Sequence, residues 1–194
     1  IPCHIGNGGS ITAVVNGESV DTSMGLTPVE GLMMGTRAGD VDSGALTFLM
    51  EKENLDAQGV SNMVNKKSGL LGLSGVSSDM REINEAIGAG NEKAKLARSV
   101  YFYRLKKYIG AYAAGMGGVE AIVFTGGVGE NSDICRAAAC KGLEFMGVKL
   151  DEAKNLACRG TEVISTDDSK VTVVVIPTDE EYMIALDTKT LLKL

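Results

Sequence analysis

Apolar and polar residues alternate in short runs at the start of the chain. Runs at 1–5, 11–15 and 18–21 have the residue types of strands. Asn16-Gly17 separates the last two runs, and this dipeptide is a strong signal for a two-residue hairpin. The chain is therefore predicted to begin as three antiparallel strands.

The rest of the pattern has helical spacing, interrupted by three further strands. Further strands are predicted at 121–124, 162–165 and 171–176. Helices are predicted at about 42–52, 56–65, 79–87, 131–141 and from 179 onward, together with a longer helix whose apolar face carries Leu96, Val100, Tyr101, Leu105, Tyr108 and Tyr112. We interpret that face as core or subunit contact. An α/β fold with a mixed sheet and flanking helices follows, formed by residues 1–194 as a single domain.

The segment VEAIVFTGGVGENS, residues 119–132, is the most informative part of the pattern. Its apolar run 121–124 is bounded by glycines on both sides, as in a buried strand, and Asn131 is placed to cap a helix. A strand that enters a helix through a glycine turn exposes backbone N–H groups at the carboxyl end of the strand, where phosphate or a nucleotide binds. A tight turn without a ligand is the alternative.

Composition limits the classes of partner. Glycine is about twice as frequent as usual, with 25 of 194 residues, and it falls in separate turns. The net charge of -6 argues against nucleic acid and anionic membranes as partners. The four cysteines form no Cys-x-x-Cys pair and the chain has one histidine, so we expect buried, reduced thiols and no zinc site. No run is long enough to span a membrane and no signal or transit peptide is visible; we expect a cytoplasmic protein.

A second glycine-rich turn follows the first strand, in the sequence HIGNGGS at 4–10. Closely spaced glycines let the backbone approach a ligand, and Asn7 and Ser10 add side-chain hydrogen bonds suited to an oxyanion. A plain hairpin turn explains the pattern equally well. His4 is either a satisfied, partly buried imidazole or a catalytic group.

Two arginines, Arg37 and Arg81, lie in or next to turns. Arg37 lies between glycines and is suited to clamp a phosphoryl group through two parallel hydrogen bonds, with a surface pair to Asp40 as the alternative. Asp79 is predicted to cap a helix with Glu82 in a capping box, which leaves Arg81 in the first turn without an explanation unless it has an anionic partner.

The final motif, PTDEE at 177–181, follows an apolar strand. Thr178 and Glu181 match a capping box, which leaves Glu180 free as a carboxylate ligand for Mg²⁺ near phosphates. A solvated charge at the start of a helix is the alternative.

Together these motifs resemble one family. The segments HIGNGGSITAV, DTSMGLTPVEGLMMGTRAGD, GVSSDMREI, FTGGVGENS and VIPTDEE are similar to those of acetate kinases, in the same order, and correspond to the carboxyl-terminal half of that family. The resemblance implies a ribonuclease-H-like domain of the sugar kinase, actin and heat-shock ATPase superfamily. We expect that the chain, which begins at Ile1, is processed or is a piece of a longer protein that also has an amino-terminal domain.

The resemblance also implies the site residues. Arg37 matches the transition-state arginine and Glu180 the Mg²⁺ ligand. Nucleotide contacts are implied for His4, Ile5, Gly6, Asn7 and Gly8 along the phosphates, for Asp79, Met80 and Arg81 beside the nucleoside, and for Gly127, Val128, Gly129, Glu130 and Asn131 in the adenosine loop.

The implied reaction is reversible phosphoryl transfer from ATP to acetate, or to propionate, which gives an acyl phosphate and ADP. Mg²⁺ is the implied cofactor and a homodimer the implied assembly. Acetate and acetyl phosphate would be bound through the amino-terminal half, so we expect the chain alone to show little or no kinase activity.

Two other functional classes are open to the sequence. A dinucleotide-binding oxidoreductase fits poorly, because Gly-Gly-x-Gly is not the Gly-x-Gly-x-x-Gly fingerprint and a β-meander does not start a Rossmann domain. The remaining alternative is a non-enzymatic module of the same fold that binds ATP or forms a dimer.

Overall fold

A six-stranded mixed sheet forms the centre of the protein, as seen in a computed structural model that describes residues 1–193. The strand order is β3-β2-β1-β4-β6-β5; β1, β4 and β6 are parallel and the other neighbours are antiparallel. The strands are β1 (Pro2–Ile5), β2 (Gly9–Val15), β3 (Glu18–Thr22), β4 (Ala121–Thr125), β5 (Glu162–Val163) and β6 (Thr172–Val175).

The helices fill the connections between strands. They are α1 (Ser43–Glu53), α2 (Ala57–Lys66), α3 (Gly69–Ser74), α4 (Met80–Gly88), α5 (Glu92–Met116), α6 (Gly126–Asn131), α7 (Asp133–Cys140), α8 (Glu152–Ala157) and α9 (Glu180–Leu192), with a 3₁₀ turn at Glu144–Met146. The α/β fold with a mixed sheet and flanking helices is thus confirmed.

The core forms where the central strands meet α5. Ile5, Ile122 and Phe124 have no exposed surface, and neither do Ala97 and Ile109 of α5. Within β4 only alternate residues are fully buried and the others are half-buried, so one face of this strand is more tightly covered than the two-sided pattern predicted. No residue of α9 is buried.

The predicted hairpin is confirmed by its backbone. Asn16 and Gly17 both have positive φ, at 53° and 83°, as the right-handed twist of the flanking strands requires. The apolar face of α5 is also largely core, because Tyr101, Leu105 and Tyr112 are buried, whereas Leu96 is exposed. The four cysteines are buried and unpaired. Among the described residues 1–193, no helix is long and apolar enough to cross a bilayer.

Several helix boundaries differ from the predictions. The glycine turn is itself the short helix α6, so the next helix begins after Ser132, whose hydroxyl caps it at Cys135 N, 3.2 Å away, and not after Asn131. The short helices α3 and α8 were not predicted, because six residues carry too little periodicity to distinguish them from loops.

Candidate functional site

Two glycine-rich turns lie side by side because β1 and β4 pair in parallel. The register places His4 opposite Thr125, so the residues that follow each strand emerge at the same edge of the sheet. Gly126 is the point of contact: its φ is +78°, and a Cβ there would lie 2.9 Å from the carbonyl oxygen of Ile5. Only glycine fits at this position without moving the backbone.

The turn that carries Arg37 packs against the first of these turns. Gly35 donates its N–H to the carbonyl oxygen of Asn7 at 2.9 Å, and a Cβ on Gly35 would overlap the Asn7 side chain at 1.9 Å from Oδ1. The other side of the Arg37 turn is fixed by α3, because Leu70 and Leu71 donate their N–H groups to the carbonyls of Met34 and Gly35 at 2.9 and 3.0 Å. The turn that carries Arg37 therefore packs on the turn after β1, which itself lies beside the turn after β4.

Arg37 is half-buried and faces the first glycine turn. Its Nη1 lies 3.4 Å from the ideal Cβ position of Gly8 and 3.6 Å from the sulfur of Met34. Within residues 1–193 its guanidinium forms no ion pair. Asp40, the alternative partner, instead accepts hydrogen bonds from Arg104 and from the Tyr108 hydroxyl. The guanidinium is thus a charged group without a protein anion, as a ligand clamp requires.

A cavity of about 760 Å³ opens where the turns after β1 and β4 meet α4 and α7, and neither Arg37 nor Glu180 is part of its lining. Eight of the predicted nucleotide contacts line it: Gly6, Asn7, Asp79, Met80, Arg81, Gly127, Val128 and Asn131. A Cβ on Gly127 would meet nothing within 4 Å, so open space lies directly above this backbone. The volume is typical of small-molecule sites.

The other predicted contacts lie behind this lining or beside it. Ile5 and Gly129 are buried in the packing between β1 and α6, and His4 is half-buried within β1. Gly8 lies next to Arg37. Glu130 also lies outside the lining, and the nucleotide contacts of these residues stay predictions.

Asp79 and Arg81 form a closed pair at the rim of the cavity. The Asp79 carboxylate caps α4 by accepting from Arg81 N at 2.8 Å, and it also accepts from Arg81 Nε at 3.1 Å and Nη2 at 2.6 Å. Hydrogen bonds from the side chain and backbone of Arg81 lower the pKa of Asp79 to about 2. The cation that the sequence left unexplained in the first turn therefore has its partner in Asp79. The predicted capping box with Glu82 is wrong, because Asp79 N donates to Ser77 Oγ at 3.0 Å.

Glu130 connects α6 to the segment before α9. One carboxylate oxygen, Oε1, accepts from Gly126 N at 2.8 Å, from Thr178 N at 3.0 Å and from Thr178 Oγ1 at 3.3 Å. The first N–H of α6 is therefore already paired, and the anion site predicted there is limited to the later glycines. The capping box of Thr178 with Glu181 is wrong, because Asp179 caps α9 by accepting from Tyr182 N at 3.1 Å.

Glu180 is the first residue of α9 and is exposed. Its carboxylate makes no hydrogen bond or ion pair within the described part of the chain, and no group of three or more His, Cys, Asp and Glu side chains is suited to a metal there. A single hard oxygen ligand is compatible with Mg²⁺, which takes one or two carboxylates and completes its shell with water and phosphate. The Glu180 carboxylate is therefore a suitable ligand for Mg²⁺, with the remaining ligands supplied by water and substrate.

Arg136 supports the nucleotide turn from inside the protein and was missed by the sequence analysis. Its side chain is 1% exposed; Nη1 donates to the carbonyls of Gly129 and Glu130 at 3.0 and 2.7 Å. The rest of the guanidinium donates to Asn155, from Nε to Oδ1 and from Nη2 to the backbone oxygen, both at 2.7 Å. The end of α6 is thus held by a buried cation that uses neutral acceptors.

The remaining lining residues were also not predicted. The polar ones are Ser78, Asn84, Tyr101, Ser132 and Asp133, and the apolar ones are Leu70 and Ile134. Tyr101 lies on the α5 face that was interpreted as core or subunit contact. It is buried, as a core residue is, and it also lines the cavity. Only the packing of α4 on α5 distinguishes it from its neighbours.

Comparison with known proteins gives one consistent relationship. The sequence model of the Acetokinase family matches residues 1–186. The acetate kinase of Phocaeicola vulgatus is 68% identical over 193 residues, which are 99% of this chain and 48% of that protein. The chain thus spans about half the length of the curated relatives that it matches.

Solved structures agree with the fold. The crystal structure of Porphyromonas gingivalis acetate kinase superposes with a TM-score of 0.95 at 62% identity, over 98% of this chain and 48% of that one. A propionate kinase structure from Francisella tularensis superposes with a TM-score of 0.88 at 41% identity, over 95% of this chain and 47% of that one.

The buried Arg136 network yields a stability prediction. Arg136→Lys lowers the free energy of unfolding by about 2–4 kcal/mol, because one ammonium cannot replace the forked hydrogen bonds to three residues in a buried site. Urea denaturation followed by circular dichroism measures this. Arg159→Lys, at an exposed arginine, is the matched control and changes little. Equal midpoints for both variants would contradict the supporting role of Arg136.

Proposed function

The chain belongs to the acetokinase family, and on this premise we propose that it is the nucleotide- and Mg²⁺-binding half of an acetate kinase. The full reaction is reversible transfer of the γ-phosphoryl group of ATP to a short carboxylate, which gives an acyl phosphate and ADP. We assign the chain to the carboxyl-terminal domain of such an enzyme, with a ribonuclease-H-like fold of the sugar kinase, actin and heat-shock ATPase superfamily.

One observation carries the proposal. Two glycine turns that are far apart in sequence line one cavity, and a third turn packs on the first of them and places the Arg37 guanidinium, which forms no ion pair within residues 1–193, against the turn that is expected to hold phosphate. Backbone N–H groups and a forked cation at one place are the elements that phosphoryl transfer needs, since catalysis is mostly positioning and charge stabilisation.

Each part has a separate role in this mechanism. Asn7 and Gly8 lie along the phosphates, and Asp79, Gly127 and Val128 contact the nucleoside. Arg37 neutralises charge on the phosphoryl group as it moves between ATP and the acceptor. Glu130 and Arg136 fix the geometry of α6 without touching the reacting atoms.

Glu180 would hold Mg²⁺, which supplies charge neutralisation at the phosphates when bound. Thr178 is tied to α6 through Glu130, and Glu180 follows it by two residues at the start of α9. This arrangement suits a metal that takes most of its ligands from water and substrate.

The acceptor needs no general base. A carboxylate is already ionised at pH 7, so the nucleophile exists before it is bound, and in-line positioning is the remaining requirement. Acetate is the proposed acceptor. Propionate is the second candidate, since a propionate kinase is among the similar structures.

The chain spans about half the length of its curated relatives, and we propose that the other half of such an enzyme binds the acceptor. We expect nucleotide binding by the isolated chain without significant turnover. The homodimer and the cytoplasmic location that the family resemblance implies also stay predictions. The alternative function is an ATP-binding or dimerisation module without activity.

A chimera distinguishes an enzyme half from a non-enzymatic module. In it, this chain replaces the matching residues of the Phocaeicola vulgatus enzyme, and acetyl phosphate is trapped as the hydroxamate. The chimera forms acetyl hydroxamate from ATP and acetate, whereas the isolated chain forms little or none. A folded chimera without activity would support the non-enzymatic module instead.

Arg37→Ala in the chimera lowers turnover by at least about 100-fold, on the order of 3 kcal/mol of transition-state stabilisation, with the KM for ATP little changed. Steady-state kinetics with varied ATP measure both quantities. The exposed Arg159→Ala serves as the control for loss of one positive charge. Weaker ATP binding with unchanged turnover would show that Arg37 is a ground-state contact and not a transition-state clamp.

Glu180→Gln in the chimera raises the Mg²⁺ concentration needed for half-maximal activity by about 10-fold, because the ligand loses its negative charge but keeps its shape. The measurement is a Mg²⁺ titration at fixed ATP. The neighbouring variant Glu181→Gln leaves the titration unchanged. Identical curves for the two variants would remove Glu180 from the metal site.

A further inference from the structure

The loop that carries Arg37, residues 31–40, is closed at its base by Asp40. Asp40 donates its N–H to the carbonyl oxygen of Gly31 at 3.0 Å, and Asp40 Oδ1 accepts from Gly31 N at 2.8 Å. Near the tip, Met34 donates its N–H to the carbonyl oxygen of Arg37 at 3.1 Å. Hydrogen bonds at the base and at the tip therefore fix the path of the backbone that carries the guanidinium.

The base of the loop contains two glycines whose backbones lie against other parts of the chain. The φ of Gly31 is +107°, and a Cβ there would lie 2.3 Å from the carbonyl oxygen of Ser23. The φ of Gly39 is +73°, and a Cβ there would lie 2.6 Å from the carbonyl oxygen of Gly31. Glycine has the widest choice of backbone angles. The conformation of the base therefore depends on the hydrogen bonds that hold it, which Asp40 supplies.

The same carboxylate joins the base of the loop to α5. Its Oδ2 accepts from the Tyr108 hydroxyl at 2.8 Å and pairs with the Arg104 guanidinium. Arg104 and Tyr108 are four residues apart, so they lie on the same face of α5. Burial, together with the hydrogen bond to Asp40, raises the pKa of Tyr108, and the hydroxyl therefore stays protonated as the donor. The loop is thus attached to a helix that packs in the core.

The pairing with Arg104 also affects the charge around Arg37. Asp40 is the acidic residue closest to Arg37 in sequence, and a carboxylate that reached this guanidinium would compete with a phosphoryl group for it. The carboxylate is instead held on α5 by Arg104 and Tyr108, and Arg37 forms no ion pair within residues 1–193. Asp40 thus closes the loop without neutralising the arginine that the loop presents.

Resting on the proposed function, we propose that Asp40 is a positioning residue that sets the location of Arg37 for phosphoryl transfer. It acts through the loop 31–40 and does not line the cavity. Charge that develops in a transition state is stabilised by groups that are fixed before the reaction, and a displaced guanidinium loses most of that effect. Loss of the Asp40 carboxylate therefore lowers turnover and leaves nucleotide binding nearly intact.

The first test is the steady-state kinetics of Asp40→Ala in the chimera with the Phocaeicola vulgatus enzyme. The kcat falls by about 10-fold or more, while the KM for ATP changes by less than about 2-fold. Tyr108→Phe removes one hydrogen bond to the carboxylate and lowers kcat by about 3-fold. Asp167→Ala, which breaks an exposed ion pair with Lys154 at 3.3 Å, is the matched control and changes neither quantity.

A double-mutant cycle distinguishes the positioning of Arg37 from a general loss of structure. When Arg37 is already alanine, Asp40→Ala lowers kcat by less than about 2-fold, since the group that Asp40 positions is gone. An equal loss of kcat in both backgrounds would overturn the inference, and so would a loss that appears only in the KM for ATP.

Hydrogen exchange of the 194-residue chain gives a measurement that does not depend on activity. Asp40→Ala accelerates exchange of the backbone amides in 31–40 by about 10-fold or more and leaves those of β4 unchanged. Wild-type exchange rates in 31–40 would contradict the positioning role. Should Asp40→Ala fail to fold, as judged by circular dichroism, Tyr108→Phe decides through the same kinetic and exchange measurements.

The outcomes also separate this inference from the proposed function. An active chimera whose Asp40→Ala variant keeps the wild-type kcat would leave the proposed function standing and refute positioning by Asp40. A folded chimera without activity would refute the proposed function, and the positioning role in catalysis with it.

Discussion

The parallel pairing of β1 with β4 is the constraint on which the rest of the site depends. It joins residues more than a hundred positions apart, and its register puts the turn after His4 beside the turn after Thr125. A shift of two residues would separate the turns, and a shift of one would move the buried side chains of both strands to the opposite face. Gly126 makes the register strict, because the approach of its backbone to Ile5 leaves no space for a side chain.

The polar groups around the cavity satisfy one another in a way that holds loops in place. Glu130 binds α6 to the segment before α9, and Arg136 holds the opposite end of α6. Asp40 closes the loop that carries Arg37: it exchanges backbone and side-chain hydrogen bonds with Gly31 at 3.0 and 2.8 Å and also accepts from Tyr108 of α5. The charged groups of Glu130, Arg136 and Asp40 are thus hydrogen-bonded within the protein and hold these loops in place. Arg37 and Glu180 differ from them, because neither forms an ion pair within residues 1–193.

The cavity lining combines polar groups with apolar side chains. Gly6, Asn7 and Gly127 contribute main chain and an amide, while Leu70 and Ile134 are apolar. The long helix α5 serves both the core and the cavity lining, since Leu105 packs inside while Tyr101 contacts the cavity.

Local signals in the sequence were sufficient for the strands, the Asn16-Gly17 hairpin, most helices and the glycine turns, because each depends on residues within a few positions. The residue patterns offered Arg37 and Glu180 as candidates with alternatives, and the family resemblance favoured the ligand-binding role for each. Tertiary structure alone decided what each charged group contacts: Asp40 pairs with Arg104 and not with Arg37, Glu130 reaches Thr178, and a buried arginine supports α6. It also placed Asn84 and Tyr101 in the cavity. Hydrogen bonds between distant residues depend on how strands and helices pack, and no spacing along the chain encodes that packing directly.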